Sequence, residues 1–208
     1  MLEHFLSAFV TLFVVIDPFG CAPIFAGLTG GASAQHRRSM AVRSTAIASV
    51  ILLIFALLGE PLLKVLGISL DAFRIAGGVM LALIALEMVF EKRTQRRSER
   101  ASKVAREPGP VEDIAVFPMA MPMIAGPGSI ASAMLLMGRS HGLIEHALVL
   151  AALGAVLALM LLSLLAAGAL MRRVGESVEG VITRLLGVLL AALAVQFILD
   201  GLRGAFHL

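Results

Sequence analysis

One carboxylate stands where a membrane-length apolar run ought to carry no charge. The motif Ile16-Asp17-Pro18-Phe19-Gly20-Cys21-Ala22-Pro23 interrupts the run Phe5–Leu28, and Asp17 is the thirteenth of its 24 residues. If the run spans a bilayer, a charge near the midplane costs about 2.5–3.5 kcal/mol on insertion scales. Pro18 and Pro23 each lack an N–H and displace the carbonyl four residues earlier, those of Val14 and Phe19. Asp is a favoured N-cap and Pro a favoured first helical residue, so Asp17-Pro18 reads as a helix start inside the span. Irregular backbone at that depth survives only where protein or a water-filled cavity covers it, which places a cavity at the break. A carboxylate that merely caps a kinked, protein-covered helix is the simpler alternative.

A second break has the same form without the charge. Ile114–Gly138 is uncharged for 25 residues, yet it contains Pro118, Pro122 and Gly126-Pro127-Gly128-Ser129, with Gly126 again the thirteenth. Gly126 is an acceptable N-cap and Pro127 takes the first helical position, so the N–H groups of Gly128 and Ser129 are left over at a helix start. Two converging helix N-termini suit a carboxylate, and Asp17 suits an ammonium. A small zwitterion therefore matches the pair. The expected binding set is Asp17, Pro18, Gly20, Cys21, Pro23, Gly126, Pro127, Gly128 and Ser129, with Ser132 on the face of Ser129. The glycines serve tight helix packing equally well, and either serine can bond back to its own helix. Cys21, the sole cysteine, excludes an intrachain disulfide and reads as a packed thiol.

Both breaks need helices to position them, and the composition supplies those helices. The chain has 208 residues, 59% of them hydrophobic and 15% charged, with neither Trp nor Tyr and a mean hydropathy of +0.97. This is a polytopic membrane composition, and it excludes an ordinary soluble enzyme. Six runs approach the roughly 20 residues that a spanning helix needs: Phe5–Leu28, Ala41–Pro61, Asp71–Phe90, Ile114–Gly138, Ala147–Met171 and Val181–Leu202. The start, Met1-Leu2-Glu3-His4, carries no Lys or Arg and leads to no small-residue cleavage site, so the first span is expected to be retained.

Of the 17 Lys and Arg residues, thirteen fall at 37–43, 92–106 and 172–184, against Lys64, Arg74, Arg139 and Arg203 between the alternate runs. That bias puts both ends of the chain outside the cytoplasm, with Glu91–Asp113 as a cytoplasmic loop ending in Pro108-Gly109-Pro110. The sequence pI near 9.7 thus reports membrane orientation and not nucleic-acid binding. Arg184 reads as an anchor of the last span.

The loop also separates two similar halves, about 1–92 and about 114–204, within one transmembrane domain over 1–208. An offset of 109 carries Pro18 onto Pro127, and Gly78 to Glu87 onto Gly187 to Gln196. With three helices in each half, the repeats must insert in opposite directions, as in transporters whose substrates bind between broken helices at the midplane. The expected fold is all-α, with six transmembrane helices as two inverted three-helix repeats and with helices 1 and 4 broken. Glu87, opposite Gln196 in the repeat, is a second-rank candidate for ion coupling, although snorkelling to the interface accounts for it too. The five histidines, His4, His36, His141, His146 and His207, are expected in loops or termini, so no metal site, cofactor or Ser-His machinery is expected.

The stretches Asp17 to Phe25, Phe117 to Ile130 and Thr183 to Gly201 resemble the MarC family of bacterial inner-membrane proteins, and the resemblance covers nearly the whole chain. One departure is Cys21, where the family usually has Asn. The resemblance implies a six-helix plasma-membrane protein of the LysE-type transporter group, some members of which are similar to carriers of small neutral amino acids such as alanine and glycine. Proton or sodium coupling and homo-oligomerisation stay open. The rival readings are an ion or cation exporter, with Asp17 as ligand, and a non-transporting membrane partner protein.

Overall fold

The structure, a computed structural model, describes residues 1–90 and 114–206, with side chains throughout except at 169–179. The expected loop Glu91–Asp113 and His207 lie outside the described residues. The elements are α1 (Leu2–Ile16), α2 (Pro18–Leu28), α3 (Ala34–Val65), α4 (Leu70–Val89), an irregular α5 (Ala115–Ile124), α6 (Pro127–Arg139) and α7 (Gly142–Phe206). Ser33 caps α3 by accepting from the His36 N–H at 3.2 Å, and Ser69 caps α4 by accepting from the Ala72 N–H at 3.1 Å.

A straight helix would separate Glu145 from Asp200 by about 80 Å at 1.5 Å per residue. Both nonetheless line one pocket, so α7 supplies two spans, Gly142–Gly168 and Gly180–Phe206, and not one straight rod. With Leu2–Leu28, α3 and α4, five helices among the described residues are long and apolar enough to cross a membrane, and the bent pair α5–α6 makes a sixth if it is one span. All six expected runs are found, most of them extended by several residues. His36 and His146 correct the expectation of loops: they lie in the first turns of α3 and α7, because those helices run past the apolar core of each span, while His4 lies in the first turn of α1 near the start of the chain.

Burial separates an inner pair of spans from an outer set. The share buried is 61% for the α1–α2 span but 28% for α3, α4 and Gly180–Phe206, so the outer spans turn Leu57, Leu58, Leu83, Leu86, Leu185 and Leu189 outward. An apolar surface of that extent is matched by lipid and not by water. In α6 every residue from Gly128 to Met137 is buried except Ile130. Small residues there, Gly128, Ser129, Ala131, Ser132 and Ala133, let neighbouring backbones approach closely. The two interrupted spans therefore form the interior of the bundle.

The outer spans α4 and Gly180–Phe206 pack antiparallel at close range. A Cβ on Gly78 would lie 2.8 Å from the Ala194 carbonyl, one on Gly187 would lie 3.1 Å from the Ala85 carbonyl, and one on Gly201 would lie 2.8 Å from the Asp71 carbonyl. A single register runs along the whole contact.

Candidate functional site

At the first break one residue closes α1 and opens α2. The Asp17 N–H donates to the Phe13 carbonyl at 2.9 Å, and its Oδ1 accepts from the Gly20 N–H at 3.0 Å. It sits in the left-handed region (φ 58, ψ 67) at 3% exposure. Asp tolerates that region better than most residues, at a cost of about 1–2 kcal/mol. The carboxylate folds down over Gly20, where a Cβ would meet Asp17 Oδ2 at 2.3 Å, so a side chain at position 20 excludes the cap.

Neighbouring groups cover the carbonyls of the break. The Cys21 thiol, fully buried, donates weakly to the Ile16 carbonyl at 3.8 Å. From α7 the Ser163 hydroxyl donates to the Pro18 carbonyl at 2.7 Å. Sequence reasoning missed Ser163, and the signal was available: it is the one hydroxyl residue in the otherwise apolar run Ala147–Met171. Pro23 is half-buried inside α2 and leaves Phe19 without a helical donor.

The second break differs from the first in shape. α5 and α6 meet at 52°, and the strand-like φ/ψ of Phe117 (−128, 125) and Met121 (−133, 125) disrupt α5 throughout. Each precedes a proline, whose ring drives the preceding residue out of the helical region. The backbone then closes wider turns, with the Met119 N–H donating to the Ile114 carbonyl at 3.2 Å and the Ala125 N–H to the Ala120 carbonyl at 2.9 Å. Gly126 caps α6 with extended φ/ψ, and the first helical bond runs from the Ile130 N–H to the Gly126 carbonyl at 3.0 Å. The Gly128 and Ser129 N–H groups stay outside that ladder.

The two breaks lie against each other. A Cβ on Gly128 would meet Ile84 Cδ1 at 2.4 Å and Val15 Cγ1 at 3.3 Å, so Gly128 marks where α6, α4 and the end of α1 converge. Ser129 is 3% exposed and Ser132 fully buried, and the Ser132 hydroxyl has no hydrogen-bond partner among the described residues. Asp17, Pro18, Gly20, Cys21, Gly126, Gly128, Ser129 and Ser132 are thus all interior. Pro127 is exposed, and Glu87 is half-buried one turn beyond Ile84. Gln196 is exposed and donates to Asp200 at 2.7 Å, away from the breaks. Among the described residues, no three His, Cys, Asp or Glu side chains gather to hold a metal ion.

A polar cluster that the sequence did not announce closes one face of the bundle. Arg139 of α6 pairs with Asp200 of α7 and stacks over the Phe197 ring at 4.6 Å. Arg74 of α4 pairs with Asp71 at 2.7 Å and donates to the Gly138 carbonyl at 3.3 Å. Glu145 accepts from the His141 N–H at 2.6 Å and faces His4 at 3.8 Å. These groups border a pocket of about 480 Å³ that Ser7 and Ala8 also line, about 15 Å along α1 from Asp17.

Residues 2–206 match the family described as MarC family integral membrane protein. The chain belongs to the MarC family. Its relatives include a UPF0056 membrane protein of Methanocaldococcus jannaschii, 40% identical over 98% of each chain. The UPF0056 membrane protein YvbG of Bacillus subtilis is 34% identical over 99% of this chain and 97% of its own, and YhcE of Escherichia coli is 33% identical over 95% and 91%. Because archaeal relatives match as well as bacterial ones, the family is broader than the bacterial inner membrane. No solved structure matches the chain. Membership of MarC agrees with the five or six candidate spans: this is a multi-pass integral membrane protein.

Proposed function

We propose that this MarC-family protein is a secondary transporter of small neutral amino acids or similar small metabolites, and not an enzyme. The observation that carries the reading is Asp17: a carboxylate 3% exposed at the centre of one of the two interior spans, making a cap that an uncharged Asn would make nearly as well. The charge itself is the expensive part, and recognition of an ammonium or a coupling proton or sodium ion gives it a purpose. Gly128 and Ser129 offer N–H groups across the same interior for the carboxylate of a zwitterion.

The reading includes two inverted three-helix repeats. The offset of 109 that aligns Pro18 with Pro127 also aligns Gly78 with Gly187 and Ala85 with Ala194. Gly78 packs on Ala194 while Gly187 packs on Ala85, the reciprocal contacts that a two-fold relation between halves produces. Pro18 and Pro127 each occupy the first position of the half-helix after a break. The protein is placed in the plasma membrane, the inner membrane in bacteria, with both ends of the chain outside the cytoplasm and the pocket of Arg139 and Asp200 as the outer approach to the breaks. Substrate moves as one repeat rocks against the other.

The test is a thermal-shift screen of the purified protein against neutral amino acids and against monovalent cations. A bound ligand raises the apparent Tm with concentration over Kd. Alanine or glycine should stabilise the wild type and lose that effect in Pro18→Ala and Pro127→Ala. Stabilisation by cations alone, unchanged by amino acids, would replace this reading with ion export.

A further inference from the structure

On the face opposite Arg139 lies a second pocket, of about 370 Å³, between the end of α2, the first turns of α3 and the Gly142–Gly168 span. Its floor is apolar and buried: Phe25 and Ala167 are each 2% exposed and Leu164 is 1% exposed. Its rim is basic. Arg37 and Arg38 line it, both exposed, and neither has a carboxylate partner among the described residues. The Arg37 guanidinium reaches across to α7, where Nη1 lies 3.8 Å from the position a Cβ on Gly168 would take. Ala34, the first residue of α3, lines the same pocket, so the positive end of a 32-residue helix also faces it. Leu165, 46% exposed, also borders it.

We propose that this pocket binds a phosphate-bearing anion, either as the headgroup of an anionic membrane lipid or free in solution. The paired arginines take the phosphate oxygens as forked donors, the start of α3 adds its dipole, and the apolar floor takes the first carbons of a lipid chain. In the sequence, thirteen of the seventeen Lys and Arg residues fall in the segments whose charge bias assigns them to the side on which α3 begins, where an anionic leaflet would meet the pocket. Occupancy clamps α2, α3 and α7 together about one helix length from Asp17, and it does not depend on what is transported.

The experiment measures the Tm of the purified full chain in neutral detergent with added phosphatidylglycerol, phosphatidylcholine or inorganic phosphate. Phosphatidylglycerol should raise Tm by about 5–11 °C at ~100-fold excess over its Kd, with phosphatidylcholine inert. In the Arg37→Gln/Arg38→Gln double variant the half-saturating lipid concentration should rise by about 30-fold, two arginine contacts at membrane-surface strength. Gly168→Leu, which plugs the rim without changing charge, should weaken binding likewise, whereas Lys64→Gln/Arg203→Gln on the other face should not. Inorganic phosphate that stabilises the wild type and not the Arg37/Arg38 variant would keep the site and make its ligand soluble. Equal stabilisation of wild type, double variant and Gly168→Leu by phosphatidylglycerol would overturn the proposal, as would the absence of any shift.

Discussion

Replacing Gly20 by Ala tests the geometry of the first break directly, because the new Cβ would lie 2.3 Å from Asp17 Oδ2 and 2.8 Å from its Cγ. The carboxylate must swing away, and the Gly20 N–H loses its 3.0 Å acceptor. Loss of a cap costs about 0.5–2 kcal/mol, while alanine over glycine within a helix returns up to about 1 kcal/mol. Gly27→Ala, in the same helix, isolates the second effect, since nothing lies within 4 Å of its Cβ position. The difference between the two alanines is therefore the cap, about 1–8 °C in Tm for a chain of this size. In an Asp17→Ala background there is no carboxylate to displace, and the difference should vanish as a coupling between neighbouring residues. The chain lacks Trp and Tyr, so unfolding is followed by a thiol-reactive dye on the fully buried Cys21 and by helical circular dichroism. If Gly20→Ala and Gly27→Ala differ by the same amount with and without Asp17, the carboxylate does not sit over Gly20 and the cap is wrong.

Three further outcomes follow from the same contacts. Ser163→Ala removes the hydroxyl that ties α7 to the Pro18 carbonyl and should cost about 0.5–1.5 kcal/mol, read as a lower Tm in the same dye assay. Arg139→Gln breaks a partly exposed pair with Asp200 and the stacking on Phe197, and should lower Tm by about 2–4 °C in low salt and less in 1 M salt. For orientation, Cys21 is replaced and single cysteines are placed at Ser98 and Ser140. Impermeant thiol labelling should reach position 140 and not position 98 from outside intact cells.

The spans were legible because a membrane helix advertises itself by length and apolarity alone, and the interruptions because proline has a fixed meaning inside such a run. Asp17 as N-cap of α2 and Pro18 and Pro127 as first helical residues follow from local rules, and local rules do not depend on the rest of the fold. The irregularity of α5 was half visible: Pro118 and Pro122 each extend the residue before them, and two such residues four apart leave no room for a regular turn between. What stayed hidden depends on contacts between distant segments. Arg74, Arg139 and Asp200 look like separate interfacial charges until α4, α6 and α7 bring them to one face. Gln196, paired with Glu87 by the repeat, lies at that face because its helix runs the opposite way, and it bonds Asp200 instead of joining the breaks. Pro127 shows that a residue can define a break and still point away from it.

On the proposed reading, the charge of Asp17, and not just its oxygen, acts at the middle of the membrane. The direct measurement is uptake of radiolabelled alanine or glycine into proteoliposomes by wild type and Asp17→Asn, with Tm recorded for both. Asn keeps an acceptor for the Gly20 N–H, so Tm should stay near the wild-type value while substrate-dependent flux is abolished. If Asp17→Asn transports as fast as the wild type, the carboxylate is a cap alone and takes no part in recognition or coupling.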